Sequence, residues 1–356
     1  MRNNSPSAGV TWQRIALSVL CVFLALVLFA MIFVTAFVDR ALGQIALPPD
    51  ITDGTLPPEV YTDPTLPTDF TGVTIPPDSI TIPTAPEDFL QHEQIINIML
   101  VGQDRRPGEN YRTRSDSMIL CTFNLKDNTL TMTSFMRDMY VQIPGHGGNK
   151  MNAAYQWGGM PLLQEVMMLN FGVHVDAFVE VDFSGFQKVV DTLGGIEVTL
   201  TEREAQYMNT FYWGMGIDNS NWNLTEGTQV LNGEQALSYS RIRMVPTLSG
   251  ANNDFGRTER QRRVLSKVLE ECKSMDISTA YKLVNELIPM VRTDIARGEI
   301  LNYFVTLFPL LANTTIKNQR IPIDGSYEFA WVGSLDVVLP DLEENRQYLY
   351  DTLMPD

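Results

Sequence analysis

The apolar and polar positions divide the chain into short strand-like runs and longer helical stretches. Residues 95–101 form an almost unbroken apolar run that stops at Gly102, the pattern of a buried strand. Residues 117–124 and 129–135 read as two more strands, and Lys126-Asp127-Asn128 between them predicts a hairpin. A helix is expected over 159–172, with Leu162, Leu163, Val166 and Met167 on its apolar face. Next come a strand at 175–181, a helix at 183–193 stopped by Gly194-Gly195, and a strand at 196–200. Helices follow at 232–243, 258–273, 277–291 and 300–311, then a late strand at 319–323 and a closing helix at 341–353 with Asp341 as its N-cap. Strands and helices that alternate around a hairpin predict the α/β class, with a mixed central sheet covered by helices on both faces. Ligands in such sheets sit at strand ends, so residues just past each strand carry the most information.

The N-terminal part has a different texture. Residues 15–38 carry no charge and, as a helix rising 1.5 Å per residue, are long enough for a bilayer core of about 30 Å. Arg2 and Arg14 precede the run and acids follow it, so the positive-inside rule puts residues 1–14 in the cytoplasm and the rest outside the cell membrane. A cleaved signal peptide would have a shorter apolar region and a small-x-small cleavage site. Residues 39–90 are rich in Pro and Thr and contain phrases such as Leu56-Pro57-Pro58, which predicts an extended spacer. Residues 91–356 are the expected globular domain.

Charge sharpens the picture. The chain has a formal net charge of −16. Most of it falls in 41–90, which has acids and no Lys or Arg, and in 322–356, where Arg346 is the single base. The body of the domain is therefore close to neutral, and an acidic protein of this kind argues against nucleic-acid binding. Against that background Arg241, Arg243, Arg257, Arg260, Arg262 and Arg263 lie close together in sequence. Like charges gathered so closely need acidic neighbours or a bound polyanion, and the guanidinium fork suits phosphate oxygens. Three scattered cysteines and three histidines give no disulfide framework, thiolate metal site or His-based triad.

The candidate chemistry lies at the predicted strand ends. Asp104, Arg105 and Arg106 follow the first strand, and Arg114-Ser115-Asp116 leads into the next. Asp104 and Asp116 flank one loop. Among arginines they either hold one Mg²⁺ together with phosphate oxygens or pair with those arginines at the surface. Arg137-Asp138 follows the third strand. A Gly-rich segment then runs through His146 to Lys150, either offering backbone N–H groups to an anion or forming a solvated loop. Arg241 and Arg243 end one helix. Arg257 and Gln261 share a face of the next, and Asp254 stands where a carboxylate either caps that helix or serves as a base. Arg262 and Arg263 point elsewhere, toward solvent.

Taken in order, these motifs resemble the LytR–CpsA–Psr family of bacterial cell-envelope phosphotransferases. The resemblance rests on Gly102-x-Asp104-x-Arg106, Arg114-Ser115-Asp116, Arg137-Asp138, Ile143-Pro144-Gly145, Lys150-Met151-Asn152-Ala153, Asp191-x-Leu193-Gly194-Gly195, Leu231-Asn232-Gly233-Glu234-Gln235 and Asp254-Phe255-Gly256-Arg257-x-x-Arg260-Gln261. One departure is Met136, where the family usually has Pro. The resemblance implies an α-β-α sandwich that attaches a glycopolymer from a polyprenyl-pyrophosphate carrier to peptidoglycan through a phosphodiester. It implies Mg²⁺ on Asp104 and Asp116, pyrophosphate on Arg114, Arg137, Arg241, Arg243 and Arg257 with Gln261 nearby, and Asp254 as general base. Arg105 or Arg106, and Lys150, complete the candidate set. Strongly apolar helices around Met167 or Leu310 are the expected lining for the prenyl tail. A non-catalytic polyprenyl-phosphate-binding or regulatory membrane protein, and a pyrophosphatase on the same lipid, are the alternatives. The identity of the glycopolymer is not written in the chain.

Overall fold

The computed structural model describes residues 74–81, 83–86, 92–103, 112–211, 217–273, 291–295 and 313–354. These all fall in the compact unit Thr52–Asp356; the other unit, Met1–Ile51, lies outside the described residues, and so do the segment expected to anchor in the membrane and the helix expected at 300–311. The helix expected at 277–291 does too, apart from Val291, which opens a strand.

Among the described residues the main sheet has the strand order β10-β7-β2-β3-β4-β11. Its members are β2 (Ile95–Gln103), β3 (Ser115–Asn124), β4 (Thr129–Phe135), β7 (Ala177–Asp182), β10 (Val291–Thr293) and β11 (Thr315–Ile321). β2 pairs antiparallel with β3 and parallel with β7, β3 is antiparallel to β4, and β4 is parallel to β11. The fold is therefore mixed α/β with a mixed central sheet. The β3–β4 hairpin turns at Asn128, whose φ of 50° suits a residue that tolerates the left-handed region. This strand order has a consequence for function. β2, β4, β7 and β11 all finish at the end of the sheet where β3 begins, so Gln103, Ser115, Arg137, Asp182 and Arg320 are gathered there.

Alternate residues of the central strands pack on opposite layers. Met99, Val101, Met118, Leu120 and Phe135 share a core with α1 (Met151–Phe171), through Met160, Leu163, Val166 and Met167. Ile119, Cys121, Leu130 and Met132 instead meet Leu265 and Leu269 of α5 (Asn253–Lys273). A further cluster joins α2 (Phe183–Thr192), α3 (Glu202–Thr210), α4 (Gly233–Arg241) and the β8–β9 ribbon (Ile196–Leu200 with Gly227–Leu231) to α5. Burying each such side chain is worth roughly 1.5–3 kcal/mol, which fixes α5 against the sheet and with it the side chains at the helix start.

Several elements depart from the expected pattern. α1 begins at Met151, eight residues before the expected start. Gly159 takes φ 63°, which kinks the helix just before Pro161, and the two glycines there read as a boundary when they mark a bend. Asn253 and Asp254 already belong to α5, so Asp254 lies in its first turn and not ahead of it. The Gly-rich segment is a hairpin, β5 (Tyr140–Ile143) with β6 (Gly147–Lys150), turned by Gly145 and Gly147 at φ 76°. The spacer expected to reach residue 90 is folded in its later part: β1 (Thr74–Ile75) pairs with β12 (Tyr327–Val332) beside β13 (Leu335–Pro340). Ile75 and Ile80 pack on Tyr140, Ala330, Val332 and Val337, apolar contacts that outweigh the proline content there. The closing helix α6 (Leu342–Leu353) is capped by Asp341, which accepts from the Glu344 N–H, as expected.

Candidate functional site

The turn after β4 is pinned by its backbone. The Met136 N–H donates to the Ile321 carbonyl (3.0 Å), the Arg137 carbonyl accepts from Asn152 N–H (3.1 Å), and the Asp138 carbonyl accepts from Val338 N–H (3.0 Å). Met136 thus uses a donor that proline lacks, so the departure at this position strengthens the turn. Held this way, Arg137 is buried, with Nη1 2.6 Å from Asp116 Oδ1 and Nε 3.3 Å from Asp254 Oδ2 and 3.4 Å from Asp138 Oδ2. Arg243 Nε reaches Asp254 Oδ1 at 3.2 Å, and Arg257 Nη2 reaches it at 3.1 Å; Arg257 Nη1 lies 3.9 Å from Asp116. Four regions of the chain therefore converge: the start of β3, the Arg137-Asp138 turn after β4, the segment after α4, and the first turns of α5.

Electrostatics at this centre are uneven. Burial alone would raise Asp254, but Arg257, Arg137, a hydrogen bond from Asp138 and Arg243 together hold it well below the usual carboxylate range. Asp138 goes the other way: burial, then its hydrogen bond and repulsion with Asp254, push it up to about 7, against the pull of Arg137 and Lys150. The two buried carboxyls thus titrate as a pair, in which Asp138 takes a proton more readily than Asp254. Burial and the nearby Arg137 lower Arg257 to about 10. Its Nε and Nη2 are buried without a hydrogen-bond partner among the described residues; the Asp254 contact is close but badly angled. Such donors are costly to leave unsatisfied, and an anion at this point would satisfy them.

Beside this centre opens a cavity of about 550 Å³. Its polar lining includes Asp116, Arg241, Arg243, Arg257 and Gln261. The rest of its lining is largely apolar: Leu100 and Ile119 from the sheet, Phe186 and Val189 from α2, Val264 and Val268 from α5. The combination suits an amphiphile with an anionic head and a hydrocarbon tail. Met167, expected near such a slot, is instead fully buried in the core on the opposite face of the sheet, and Leu310 lies outside the described residues. The strongly apolar text around Met167 marks a closed core; the cavity is lined instead by sheet residues and by the amphipathic helices α2, α4 and α5.

The remaining predicted residues separate into groups. Asp104, Arg105 and Arg106 lie outside the described residues, directly after Gln103. Arg114 Nε donates to Gln156 Oε1 (3.1 Å) and does not line the cavity. Arg241 does, with its guanidinium 4.9 Å over the Phe183 ring. Lys150 is neither solvated nor at the cavity. It is buried behind the arginines, 2.6 Å from Asp336 Oδ1 and 3.5 Å from Asp138 Oδ1. Arg260 is fully buried and structural, bonded to Glu204 and to the carbonyls of Ile242 and Val245. Arg263, expected in solvent, pairs with Glu259 and Tyr239, and Arg262 is half-buried. His146 stacks on Trp157. Asp138, named in the motif but given no role, is the residue whose part emerges only in three dimensions.

Among the described residues no three His, Cys, Asp or Glu side chains gather around one point. Asp116 nevertheless fits a Mg²⁺ role by its chemistry: a partly exposed carboxylate lining the cavity, near the start of the strand that pairs with Gln103 through Ser115. Mg²⁺ accepts one or two carboxylates when phosphate oxygens and water complete its shell.

Comparison with known proteins places this geometry among relatives. The LytR_cpsA_psr family matches residues 77–348. The Bacillus subtilis (strain 168) protein polyisoprenyl-teichoic acid–peptidoglycan teichoic acid transferase TagT is 32% identical over 263 residues, covering 72% of this chain and 76% of that one. The regulatory protein MsrR of Staphylococcus aureus (strain COL) is 30% identical, covering 65% of this chain and 66% of its own. Among solved structures, TagT bound to LI-WTA superimposes with a TM-score of 0.57 at 26% identity, over 73% of this chain and 91% of that chain.

Proposed function

The chain belongs to the LytR–CpsA–Psr family, and on that premise we propose that it transfers a glycopolymer from a polyprenyl-pyrophosphate carrier to peptidoglycan, forming a phosphodiester. The observation that carries this reading is the convergence of Arg137, Arg243 and Arg257, the last with buried N–H donors left unsatisfied among the described residues, beside a cavity with apolar walls. A relative named as a teichoic acid transferase supports the reaction class.

In the proposed reaction the prenyl chain occupies the apolar cavity and the pyrophosphate lies across the arginines. An acceptor hydroxyl oxygen bonds to the sugar-side phosphorus while the bond from that phosphorus to the bridging oxygen breaks. Prenyl monophosphate leaves with the electron pair. The hydroxyl proton passes to Asp254. An incoming pyrophosphate competes for Arg137, Arg243 and Arg257, loosening their hold on Asp254 and making it a better base at the moment it is needed. Arg137, Arg243 and Arg257 offset charge that shifts toward the bridging oxygen, which is where most phosphoryl-transfer catalysis arises. Mg²⁺, held by Asp116 together with Asp104, would add charge stabilisation on the leaving phosphate.

The same reading puts the domain outside the cell, tethered by residues 15–38. Arg2 and Arg14 before that run and the acids after it support this orientation. Among the described residues no helix is long and apolar enough to cross a membrane. The test is incubation of the protein with a polyprenyl-pyrophosphoryl glycan, Mg²⁺ and a peptidoglycan oligosaccharide, followed by mass spectrometry. A joined phosphodiester is expected; glycan phosphate released without joining would reassign the protein as a hydrolase.

A further inference from the structure

α5 has two working faces. Arg257, Gln261, Val264 and Val268 face the cavity. Phe255, Arg262 and Ser266 recur at helical spacing on the other flank, toward β11, where Ser266 hydrogen-bonds Asn318. On that flank Arg320, next to last in β11, lays its guanidinium 4.4 Å from the Phe255 ring centroid and 5.9 Å from that of Tyr327. Its Nη1 is 3.7 Å from the sulfur of Met136. Arg320 therefore touches the immediate chain neighbours of both Asp254 and Arg137.

Arg262 stands beside Arg320, and burial together with that like charge lowers it to about 10 despite Glu259. Its Nη1 is buried with no hydrogen-bond partner among the described residues. The nearby carboxylates do not balance the pair. Glu259 already serves Arg263 and Thr247, and Asp324, bound to Arg320, is 90% exposed. Two neighbouring cations with one buried donor unsatisfied, a carboxylate already shared with Arg263 and another that is solvated, are costly unless an anion joins them.

We propose that Arg262 and Arg320 form a second anion subsite that takes a carboxylate of the incoming peptidoglycan acceptor. The proposal rests on the transferase reading for the choice of ligand. In-line displacement brings the attacking oxygen in opposite the leaving oxygen. The leaving prenyl phosphate belongs to the cavity on one flank of α5, so the acceptor approaches from the other, past Phe255, whose neighbour Asp254 receives the proton. Peptidoglycan peptides carry free carboxylates, whereas the donor's reacting phosphates are already held by the first arginine group.

The test uses full-length protein and the variants R262Q and R262Q/R320Q, with R262K/R320K as the charge-retaining control. Two acceptor oligosaccharides are compared, with free and with amidated peptide carboxylates, and two donors, with phosphate-bearing and with uncharged glycans. Acceptor binding is also measured by calorimetry without donor. Expected are a rise of about tenfold or more in acceptor KM for R262Q/R320Q, the size that one charge-assisted hydrogen bond gives, loss of the preference for free carboxylates, partial rescue by R262K/R320K, and donor affinity within twofold of wild type. An unchanged acceptor KM, or an equal rise with both acceptors, overturns the subsite. A loss confined to the phosphate-bearing donor also overturns it and assigns the pair to the donor polymer. If wild type binds the acceptor through these arginines yet forms no joined product, the subsite stands and the transferase reading falls. Because R262Q leaves the Phe255–Arg320 stack intact, it reports on the site even if R262Q/R320Q folds poorly.

Discussion

Asp254 Oδ1 lies 3.1 Å from Nη2 of Arg257, one helical turn along α5. The carboxylate stands among the arginines much as a phosphate would. Removing its charge without its shape should therefore separate binding from turnover. D254N is expected to bind polyprenyl pyrophosphate as tightly as wild type or tighter, and to lose roughly 10²–10⁴-fold in transfer, the usual contribution of a general base. Calorimetry with the lipid and a transfer assay measure the two. Equal losses in both would remove Asp254 from the proton-accepting role.

Arg257 is held where only a guanidinium fits both Asp116 and Asp254. R257K keeps a charge but loses the fork, so transfer should fall by more than tenfold. R137A should do worse, because it leaves Asp254 and Asp138 buried beside one another without their shared cation. A stability loss of about 3–5 kcal/mol is expected from breaking such a buried network, visible as a lower thermal midpoint. A midpoint equal to wild type would show that the network is not structural.

The carboxyl pair gives stability a defined pH dependence. Asp138 is raised to about 7 in the folded chain, against an ordinary value of 3.8. Between those values the native state binds the proton more tightly than the unfolded state. This group's contribution is thus fully present below about 4 and is lost as pH rises through 7. Asp254, lowered, acts in the opposite sense at acid pH. D138N cannot lose a proton. Its thermal midpoint relative to wild type should therefore move upward by a few degrees between pH 5 and pH 8. A flat difference across that range would show that Asp138 carries no proton at neutral pH.

The cavity predicts a chain-length effect. V189W fills apolar space beside Phe186 and Leu237, all of which line the cavity. Donors with long prenyl chains should lose affinity while donors with one or two prenyl units keep it. Equal loss for all donors would place the tail elsewhere. Similarly, chelation or D116N should stop transfer while leaving lipid binding largely in place, as carboxylates that hold Mg²⁺ predict. Full activity in a chelator would remove Mg²⁺ from the account.

The strands were legible in the sequence because their signal is local. Residues 129–135 match the observed strand to the residue, and Arg137, two residues past its end, is among the side chains that the fold brings together beside the cavity. Arg257 and Gln261 were readable from helical spacing alone, and both line the cavity. What stayed hidden depends on distant partners. Arg257 and Arg260 look alike on one helix, but Arg260 is made structural by Glu204, 56 positions away. Lys150 was hidden by Asp336, and the folding of Thr74-Ile75 by a strand some 250 residues later. The cavity itself has no local signature, because its walls are assembled from the sheet and from several helices far apart in sequence.

The most direct measurement follows one phosphorus atom. A donor labelled at the sugar-side phosphate is mixed with the protein and a peptidoglycan oligosaccharide, and the products are separated. The label is expected in the bridge between glycopolymer and peptidoglycan, with unlabelled prenyl monophosphate released. Label recovered in the lipid, or on glycan phosphate that never joins the acceptor, would contradict the transfer reaction.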